Sequence, residues 1–326
     1  MRRLPTVSDV AEAAGVSRQT VSNVLNTPEI VRAETTERVR AAIERLGYRP
    51  HASARRLRTR RSSTIGVRLD PGADGMSGSL LDRFLHALVE RADADGLRVL
   101  LYTAVDEDAE IATFERLLDG ADVDALVLTS THYGDRRIPW LVEHDVRFVT
   151  FGRPWGEHDT TDRSHRWVDV DGRVGVRAAT ASLLEQGHRR IAFLGWPEGS
   201  GTGDDRRAGW REAMLAAGVP DADMTALDLG VEEDPLDLGI GGRAVAAVAP
   251  RPDAVVCASD SLALGARLAL GPDVPVVGYD DTPVARALGF PSVAQPLDEV
   301  AAAVLELLAS DEGDHHRLLA PRLVRR

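Results

Sequence analysis

The chain of 326 residues contains a single cysteine, Cys257, and no lysine, so all 39 of its basic residues are arginine. One cysteine cannot form an internal disulfide, which indicates a reducing compartment. The sequence also lacks a run of about 18 apolar residues that could cross a membrane, and no apolar signal-peptide core follows Met1, Arg2 and Arg3. We therefore expect a cytoplasmic protein with no membrane contact.

Several signatures of catalysis are missing as well. The sequence shows no cysteine and histidine set with metal-ligand spacing and no serine elbow, and a phosphate loop ending in GK[ST] is impossible without lysine. We therefore expect no metal, no cofactor and no enzymatic activity.

A net positive charge is found only at the amino-terminal end. Residues 1–61 hold 13 arginines and six acidic residues, a balance of +7, whereas the whole chain carries −12. The difference leaves −19 for residues 62–326. Because nucleic acids are polyanions, the first 61 residues are the part of the chain suited to bind them.

Two short helical patterns, separated by Gly15, occupy residues 6–26. In the first pattern apolar residues recur at intervals of three and four, at Val7, Val10, Ala11 and Ala14. Ser17 is placed to cap a second helix that begins at Arg18. This is the spacing of a helix-turn-helix motif.

The second helix of this motif separates apolar from polar side chains. At about 100° per residue, Val21, Val24 and Leu25 form the packed side. The opposite side carries three residue types that read base edges in the major groove, namely Arg18, Gln19 and Asn23. Thr20 and Ser22 are suited to donate to phosphates. The alternative is a small helical domain with a solvated polar face.

A third helix is predicted over residues 33–46, and a strongly basic stretch follows it. Residues 49–63 contain six arginines around one large apolar side chain, Leu57. A leucine on a short basic helix can wedge between base steps in the minor groove while arginines contact the phosphates. The alternative is a flexible charged linker.

From Thr64 onward, short apolar runs alternate with amphipathic helical patterns such as residues 80–95 and 172–186. The strand candidates are TIGVRL (64–69), LRVLLY (97–102), ALVLTS (125–130), RFVTFG (147–152), RIAFLG (190–195), AVVCAS (254–259) and PVVGYD (275–280). This order predicts an α/β fold with parallel sheets covered by helices on both faces.

Ligands of such sheets bind beyond the carboxyl ends of the strands, and polar residues stand there. One of these segments, EGSGTGDDRRAGW at 198–210, has the glycines and the strand-loop-helix context of a phosphate cradle. Asp204 and Asp205 directly behind the glycines would repel phosphate, however. We therefore interpret the segment as the rim of a ligand cleft, and a sugar or nucleotide enzyme is the remote alternative.

These motifs resemble the LacI/GalR family of bacterial transcriptional regulators. The headpiece and hinge of that family match TVSDVAEAAGVS, TVSNVLN, RVRAAIERLGYRP and ARRL, and its periplasmic-binding-protein-like effector domain matches VDVDG, GHRRIAFLG, DDRRAGW, ASDSLALGA and VVGYDD. The resemblance implies a helical headpiece at 1–49, a hinge helix at 50–61 and an effector domain at 62–326. That domain would comprise two doubly wound parallel-sheet subdomains, 62–162 with 295–318 and 163–294 with 319–326, and the chain would cross between them near 160–166, 289–294 and 319–321.

The resemblance also implies two sets of contact residues. The DNA contacts would be Thr6, Ser17, Arg18, Gln19, Thr20, Ser22, Asn23, Asn26, His51, Ala54, Arg55, Leu57 and Arg58, with His51 standing where many members carry asparagine. The effector contacts would be Asp70, Thr129, Arg153, Trp155, Asp171, Trp196, Arg206, Ser259 and Asp280. Arg206 would grip effector hydroxyls or carbonyls and Asp280 would accept from hydroxyls, whereas Ser259 replaces a longer asparagine and Asp171 is equally suited to cap the next helix.

A small neutral sugar suits these residues, because carboxylates accept from hydroxyl pairs, arginine donates to ring oxygens and an aromatic face packs on C–H groups. Trp196 and Trp155 are the candidate platforms, and two platforms favour a disaccharide or glucoside. A purine effector is the alternative. We expect a homodimeric repressor of carbohydrate-utilisation genes that binds a pseudo-palindromic operator. An exported sugar-binding protein is disfavoured by the DNA-reading end.

Overall fold

The computed structural model describes residues 5–48, 62–69, 78–155, 162–232, 237, 239–310 and 314–326. The chain divides into two compact units, Met1–Ser62 and Ser63–Arg326. Residues 50–61, where the hinge helix is predicted, lie outside the described residues. Within the described ranges, no helix has both the length and the apolar character that a membrane crossing requires.

The first unit is a three-helix domain. Its helices are α1 (Val7–Ala14), α2 (Arg18–Asn26) and α3 (Ala33–Leu46), with a 3₁₀ turn at Pro28–Ile30. The helices close on a small core formed by Val10, Ala11, Ala14, Val21, Val24, Val39, Ala42 and Tyr48. Leu25 does not join this core, since 37% of its surface is exposed, so its predicted place on the packed side is wrong.

Local side-chain chemistry sets the helix ends of this unit. Thr6 and Asp9 form a reciprocal capping box at the start of α1, and Gly15 ends the helix in the left-handed conformation, with φ of 64°. The Ser17 hydroxyl accepts from the Thr20 amide at 3.1 Å. The predicted beginning of α2 at Arg18 and the predicted bounds of α3 are confirmed.

The second unit contains two six-stranded sheets. The first has the order β11-β5-β4-β3-β1-β2 and the second the order β12-β10-β9-β8-β6-β7. Every pairing is parallel except that of β12 with β10. The strands are β1 (Thr64–Arg68), β2 (Arg98–Tyr102), β3 (Ala125–Leu128), β4 (Phe148–Phe151), β5 (Trp167–Val170), β6 (Ile191–Gly195), β7 (Asp228–Gly230), β8 (Ala254–Cys257), β9 (Val276–Tyr279), β10 (Ser292–Ala294), β11 (His316–Leu319) and β12 (Arg322–Val324).

Helices cover both faces of the first sheet, and the strand residues alternate between them. In β3, Ala125 and Val127 pack in one cluster with Phe84 and Val300, whereas Leu126 joins a separate cluster on the other face. The helices of the second unit are α4 (Gly78–Ala94), α5 (Glu107–Asp119), α6 (Arg137–Glu143), α7 (Gly172–Glu185), α8 (Thr202–Ala216), α9 (Asp221–Met224), α10 (Ile240–Ala246), α11 (Asp260–Leu270), α12 (Pro283–Leu288) and α13 (Leu297–Ala309). A predicted α/β fold with parallel sheets is confirmed.

All seven predicted strands are present, but five strands of three or four residues were not predicted from the sequence. One of them, β5, corrects a predicted boundary. Trp167 of β5 pairs with Thr150 of β4 on one side and with His316 of β11 on the other. Residues 167–170 therefore belong to the first sheet. The chain therefore leaves the first subdomain after Val170 rather than near 160–166. We call the part built on the first sheet the N-subdomain and the part built on the second sheet the C-subdomain.

A buried carboxylate lies at the start of α11 in the C-subdomain. Asp260 is 1% exposed and accepts from the Thr282 amide and the Ser292 hydroxyl, both at 2.7 Å. A Cβ at residue 278 would lie 2.0 Å from its Oδ1, so Gly278 is required for this arrangement. Burial raises the pKa of Asp260 to about 6 despite these hydrogen bonds.

The raised pKa of Asp260 predicts a pH-dependent stability. The folded state holds this proton more tightly than the unfolded chain, so the free energy of unfolding falls as pH rises from about 4 to about 6, by on the order of 3 kcal/mol at most. We expect Asp260→Asn to remove this contribution, so that its stability relative to the wild type increases with pH. Urea unfolding at pH 4.5, 5.5 and 7 measures the effect, and parallel profiles for the two proteins would contradict it.

Candidate functional site

A cavity of about 320 Å³ lies between the carboxyl ends of the two sheets. The N-subdomain contributes Leu80, Leu81, Thr129, Ser130, Thr131, Phe151, Gly152 and Asp169 to its wall, and the C-subdomain contributes Trp196, Ser200, Thr202, Arg206, Ser259 and Asp280, with Gln295 at the connection. This is where ligands of parallel α/β sheets bind. A larger depression of about 570 Å³, beside Ser182 and Arg267, contains none of the predicted effector residues.

The cavity brings together five of the nine predicted effector residues, which are Thr129, Trp196, Arg206, Ser259 and Asp280. Arg153, Trp155 and Asp171 are not among the lining residues. Asp70 lies outside the described residues.

Arg206, on the first turns of α8, has the most constrained side chain of the cavity wall. It is 6% exposed, its Nη1 donates to the Ala258 carbonyl, and its guanidinium carbon lies 3.7 Å from the ring centre of Tyr279 and 5.5 Å from that of Trp196. Its Nε is buried and has no hydrogen-bond partner among the described residues. The side chain is therefore held rigidly at the cavity wall, and its Nε is not used by the described residues.

Other buried polar atoms at this site also lack partners. The hydroxyls of Thr129 and Ser200, which line the cavity, and that of Tyr279, beneath Arg206, have no hydrogen-bond partner within the described ranges. Buried polar groups without partners are rare in native proteins, because each costs about 1–3 kcal/mol. Three of the eleven such atoms among the described residues belong to the cavity wall, which favours a polar ligand.

The turn that carries Thr129 is anchored from behind by Arg137. This arginine is 1% exposed, and its Nη2 donates to the carbonyls of Thr129 and Ser130 at 3.2 Å. It also pairs with Asp135 at 2.7 Å and with Glu110 at 3.1 Å. Burial counts against the charged form, but these ion pairs prevail and raise the pKa of Arg137.

Two carboxylates add acceptors to the cavity wall. Asp280, with a left-handed φ of 103°, accepts from the Gln295 side-chain amide at 2.7 Å. Asp169 accepts from Arg153 Nε at 2.6 Å and from the Val170 amide at 2.8 Å. The sequence prediction missed Asp169 because it considered residues after strand ends, whereas this carboxylate lies within β5; an acid inside an apolar run was the available signal.

Two of the predicted effector residues cap helices. The Asp171 carboxylate accepts from the Val174 amide at 2.9 Å at the start of α7, which favours the capping alternative for this residue. Ser259 accepts from the Leu262 amide at 3.1 Å at the start of α11 and also lines the cavity.

The glycine-rich segment does not offer its amides to a phosphate. The Asp204 carboxylate accepts from the amides of Gly199 and Gly201, each at 3.1 Å, and α8 begins at Thr202. A phosphate cradle needs these amide hydrogens and no competing carboxylate. The geometry therefore favours the interpretation of the segment as a cleft rim.

One group of potential metal ligands, Glu107, His132 and Asp135, has ligand atoms within 4.8 Å of one another. Its carboxylates are already engaged: Glu107 pairs with Arg136 at 3.1 Å, and Asp135 pairs with Arg137. These cations neutralise the charge that a metal ion would need, so the group forms part of an ion-pair network.

In the first unit, α2 presents its polar face as predicted. Arg18 and Gln19 are exposed, and Gln19 donates to the Asn23 side-chain oxygen at 2.9 Å. Thr20, Ser22 and Asn23 are half-buried, and Thr6 and Ser17 serve as helix caps. The remaining predicted DNA contacts lie outside the described residues: the side chain of Asn26 and the residues His51, Ala54, Arg55, Leu57 and Arg58.

Comparisons with known proteins agree with this architecture. Residues 6–51 match the model of bacterial regulatory proteins of the lacI family, and residues 180–326 match that of the periplasmic binding protein-like domain. The HTH-type transcriptional regulator CelR of Thermobifida fusca is 36% identical over 94% of this chain and 92% of its own length. The ribose operon repressor of Escherichia coli K12 is 30% identical over 98% of this chain and 95% of its own length.

Solved structures show the same relationship. A CelR–cellobiose complex is 31% identical, covers 99% of both chains and has a TM-score of 0.69. The lac repressor dimer bound to operator and an anti-inducer is 25% identical, covers 99% of this chain and 98% of its own, and has a TM-score of 0.83. Because these relatives are transcriptional regulators and the resemblance spans both units, this chain is a transcriptional regulator rather than an enzyme, and it belongs to the LacI family of bacterial regulatory proteins.

Proposed function

We propose that this LacI-family repressor is released from its operator by a small neutral sugar that binds in the cavity between the subdomains. A disaccharide or glucoside is favoured. The observation that carries the proposal is the set of buried polar atoms without partners at one cavity, Thr129 Oγ1, Ser200 Oγ and Arg206 Nε. These three atoms are suited to form hydrogen bonds with a ligand that is rich in hydroxyl and ring oxygens.

The rest of the cavity wall complements such a ligand. The Arg206 Nε donates, the carboxylates of Asp169 and Asp280 accept from hydroxyls, and the indole of Trp196 offers a face for C–H groups. A charged sugar phosphate fits less well, because these two carboxylates would repel it. The volume of about 320 Å³ is at the lower end of the range of about 300–1,000 Å³ for small-molecule pockets.

The relatives support a sugar effector. CelR has been solved in complex with cellobiose, and another relative is named the ribose operon repressor. A purine is the alternative, since a PurR of Erwinia tasmaniensis is 29% identical over 94% of this chain. Asp169 and Asp280 would then hold exocyclic amines.

The proposed mechanism uses both units. Two headpieces of a homodimer read a pseudo-palindromic operator through Arg18, Gln19 and Asn23, while paired hinge segments insert Leu57 at its centre. Sugar binding favours one arrangement of the subdomains and thereby lowers the operator affinity. This requires that the sugar bind the two arrangements with different affinity. The regulated genes serve carbohydrate utilisation, and the protein acts in the cytoplasm.

A ligand screen tests the class of effector. We expect cellobiose or a related glucoside to raise the melting temperature of the full chain, because a ligand that binds only the native state stabilises it by RT ln(1 + [L]/Kd). Maltose, glucose, adenine and hypoxanthine serve as comparisons in the same thermal-shift plate. Stabilisation by a purine alone would replace the sugar with the alternative effector.

Arg206 provides a test of the cavity assignment. Because a hydrogen bond to a charged group contributes about 1.5–3 kcal/mol, Arg206→Gln should weaken binding of the stabilising sugar by roughly tenfold to a hundredfold while operator binding persists. Arg211→Gln is the control, since Arg211 lies on the same helix but pairs with Asp221 at 2.6 Å and is not among the lining residues of the cavity. Calorimetry and gel-shift titrations measure the two affinities. Equal losses of sugar affinity in both variants would contradict the assignment.

Leu57 provides a test of the hinge. A side chain that wedges between base steps contributes only where the operator opens, so Leu57→Ala should lower specific operator affinity by on the order of tenfold or more and leave non-specific affinity unchanged. Leu57→Met, which keeps a flexible apolar wedge, is the control. Fluorescence anisotropy with operator and scrambled duplexes measures both affinities. Parallel losses on the two duplexes would indicate a mere linker.

A further inference from the structure

Three side chains of the N-subdomain meet one short segment of the C-subdomain, residues 201–205, at the beginning of α8. The three are Tyr133, Arg153 and Trp155, which follow the strands β3 and β4. They contact, respectively, Asp204, Asp205 and Gly201. These contacts cross the cleft beside the cavity.

Arg153 makes the central contact. Its Nε donates to Asp169 at 2.6 Å and its Nη2 donates to Asp205 at 3.0 Å, so one guanidinium bridges a cavity-lining carboxylate of its own subdomain and a carboxylate of the other. All three side chains are less than a fifth exposed. Burial counts against the charged form of Arg153, but the two carboxylates prevail and raise its pKa.

Trp155 packs against the backbone at Gly201. The indole is 8% exposed, and a Cβ at residue 201 would lie 2.7 Å from its ring atoms. Gly201 has φ of 63°, so both the close approach and the backbone conformation favour glycine. The indole nitrogen donates to the Thr131 hydroxyl at 3.2 Å, and that hydroxyl donates to the Arg153 carbonyl at 3.0 Å.

Tyr133 is the third of these side chains, and it lies at the solvent-exposed side of the contact. Tyr133 as a whole is 42% exposed. Burial of the hydroxyl, followed by the charge of Asp204 and a hydrogen bond to it, raises the pKa of Tyr133. Asp204 is itself anchored to its own subdomain by Arg207 at 3.0 Å.

We propose that Tyr133, Arg153 and Trp155 form a tie between the subdomains, and that Arg153 is its positioning residue. Arg153 sets the distance between the cavity walls and at the same time orients the Asp169 carboxylate. A ligand that contacts Asp169 is thereby coupled to the position of α8 in the opposite subdomain. Arg153 and Trp155, predicted above as effector contacts, take this positioning role instead.

The charges around Arg153 give the direction of the effect. Asp205 interacts unfavourably with Asp169 and Asp171, which contribute with burial to its raised pKa, and Arg153 is the cation that offsets this repulsion. Removing the guanidinium leaves three carboxylates facing one another across the cleft. Like charges at close range repel, so the cleft should open at this side even without a ligand.

Distance measurements by pulsed electron paramagnetic resonance test the tie in the full chain without any effector. Spin labels at Asp119→Cys and Ala216→Cys occupy exposed positions at the far ends of α5 and α8, one in each subdomain, and the native Cys257 is buried. We expect Arg153→Gln to shift the distance distribution to longer values. Arg153→Lys, which can reach only one carboxylate, should give an intermediate shift.

Controls separate the tie from a general loss of structure. Arg136→Gln removes an arginine that is 60% exposed and pairs with Glu107 and Asp108 within one subdomain, so its distances should match the wild type. Asp205→Asn should shift the distribution in the same direction as Arg153→Gln, and the double variant should not add a second full shift, because both changes break one contact. Unchanged distances in Arg153→Gln, or equal shifts in Arg136→Gln, would overturn the proposal.

A second measurement tests the coupling of the tie to ligand binding, and this part rests on the proposed sugar effector. With cellobiose as the probe, we expect the affinity of Arg153→Gln to fall and that of Arg153→Lys to recover in part, whereas the urea midpoint of each variant monitors folding. If the wild type does not bind cellobiose, the proposal of a cellobiose-type effector is contradicted. The distances measured without ligand still test the tie in that case. If Arg153→Gln shows longer distances but binds cellobiose with wild-type affinity, the coupling to Asp169 is refuted.

Discussion

The parallel order of the strands is the constraint on which the site depends. In each sheet the parallel strands begin at one edge and end at the other, so the residues that follow them collect along a single line. Two such edges face each other in the second unit, and the cavity lies between them. Thr129, Trp196, Ser259 and Asp280 are far apart in the chain and meet here because each lies within two residues of the end of a strand.

The buried polar groups of the cavity wall determine which ligands the cavity is suited to bind. Arg206 lies between the Tyr279 and Trp196 rings with its Nη1 engaged and its Nε without a partner among the described residues, and Arg137 holds the turn that carries Thr129. Rigid groups with unused hydrogen-bonding capacity lose little entropy when a ligand binds. Helix α8 contributes to both the contact between the subdomains and the cavity, since its Asp205 contacts the opposite subdomain and the next residue, Arg206, lines the cavity.

The glycine-rich segment before α8 shows how one pattern can support two interpretations. Glycines between a strand and a helix are typical of phosphate loops, but here Asp204 accepts from two of the amides. Gly201 is needed for a different reason, because the indole of Trp155 packs directly on it. The acids behind the glycines were therefore the more informative part of the motif.

The sequence by itself determined the elements whose signals are local. Capping residues and apolar periodicity placed α2 and α3 correctly, seven apolar runs became strands, and the family motifs indicated a DNA-binding regulator. The five missed strands have three or four residues, and each includes a polar residue, so no apolar run marked them in the sequence. Leu25 was misplaced because it lies at the edge of the apolar stripe of α2, where angle alone does not decide burial.

Only the tertiary structure decided which polar residues share the cavity and which sheet each strand joins. β5 belongs to the first sheet because it pairs with β4 on one side and with β11, about 150 residues later, on the other. Asp169 reaches the cavity, Asp171 caps a helix, and Arg153 bridges two carboxylates that are 36 residues apart in the chain. Such partners are selected by packing between distant segments, and the spacing of residues along one segment does not record that packing.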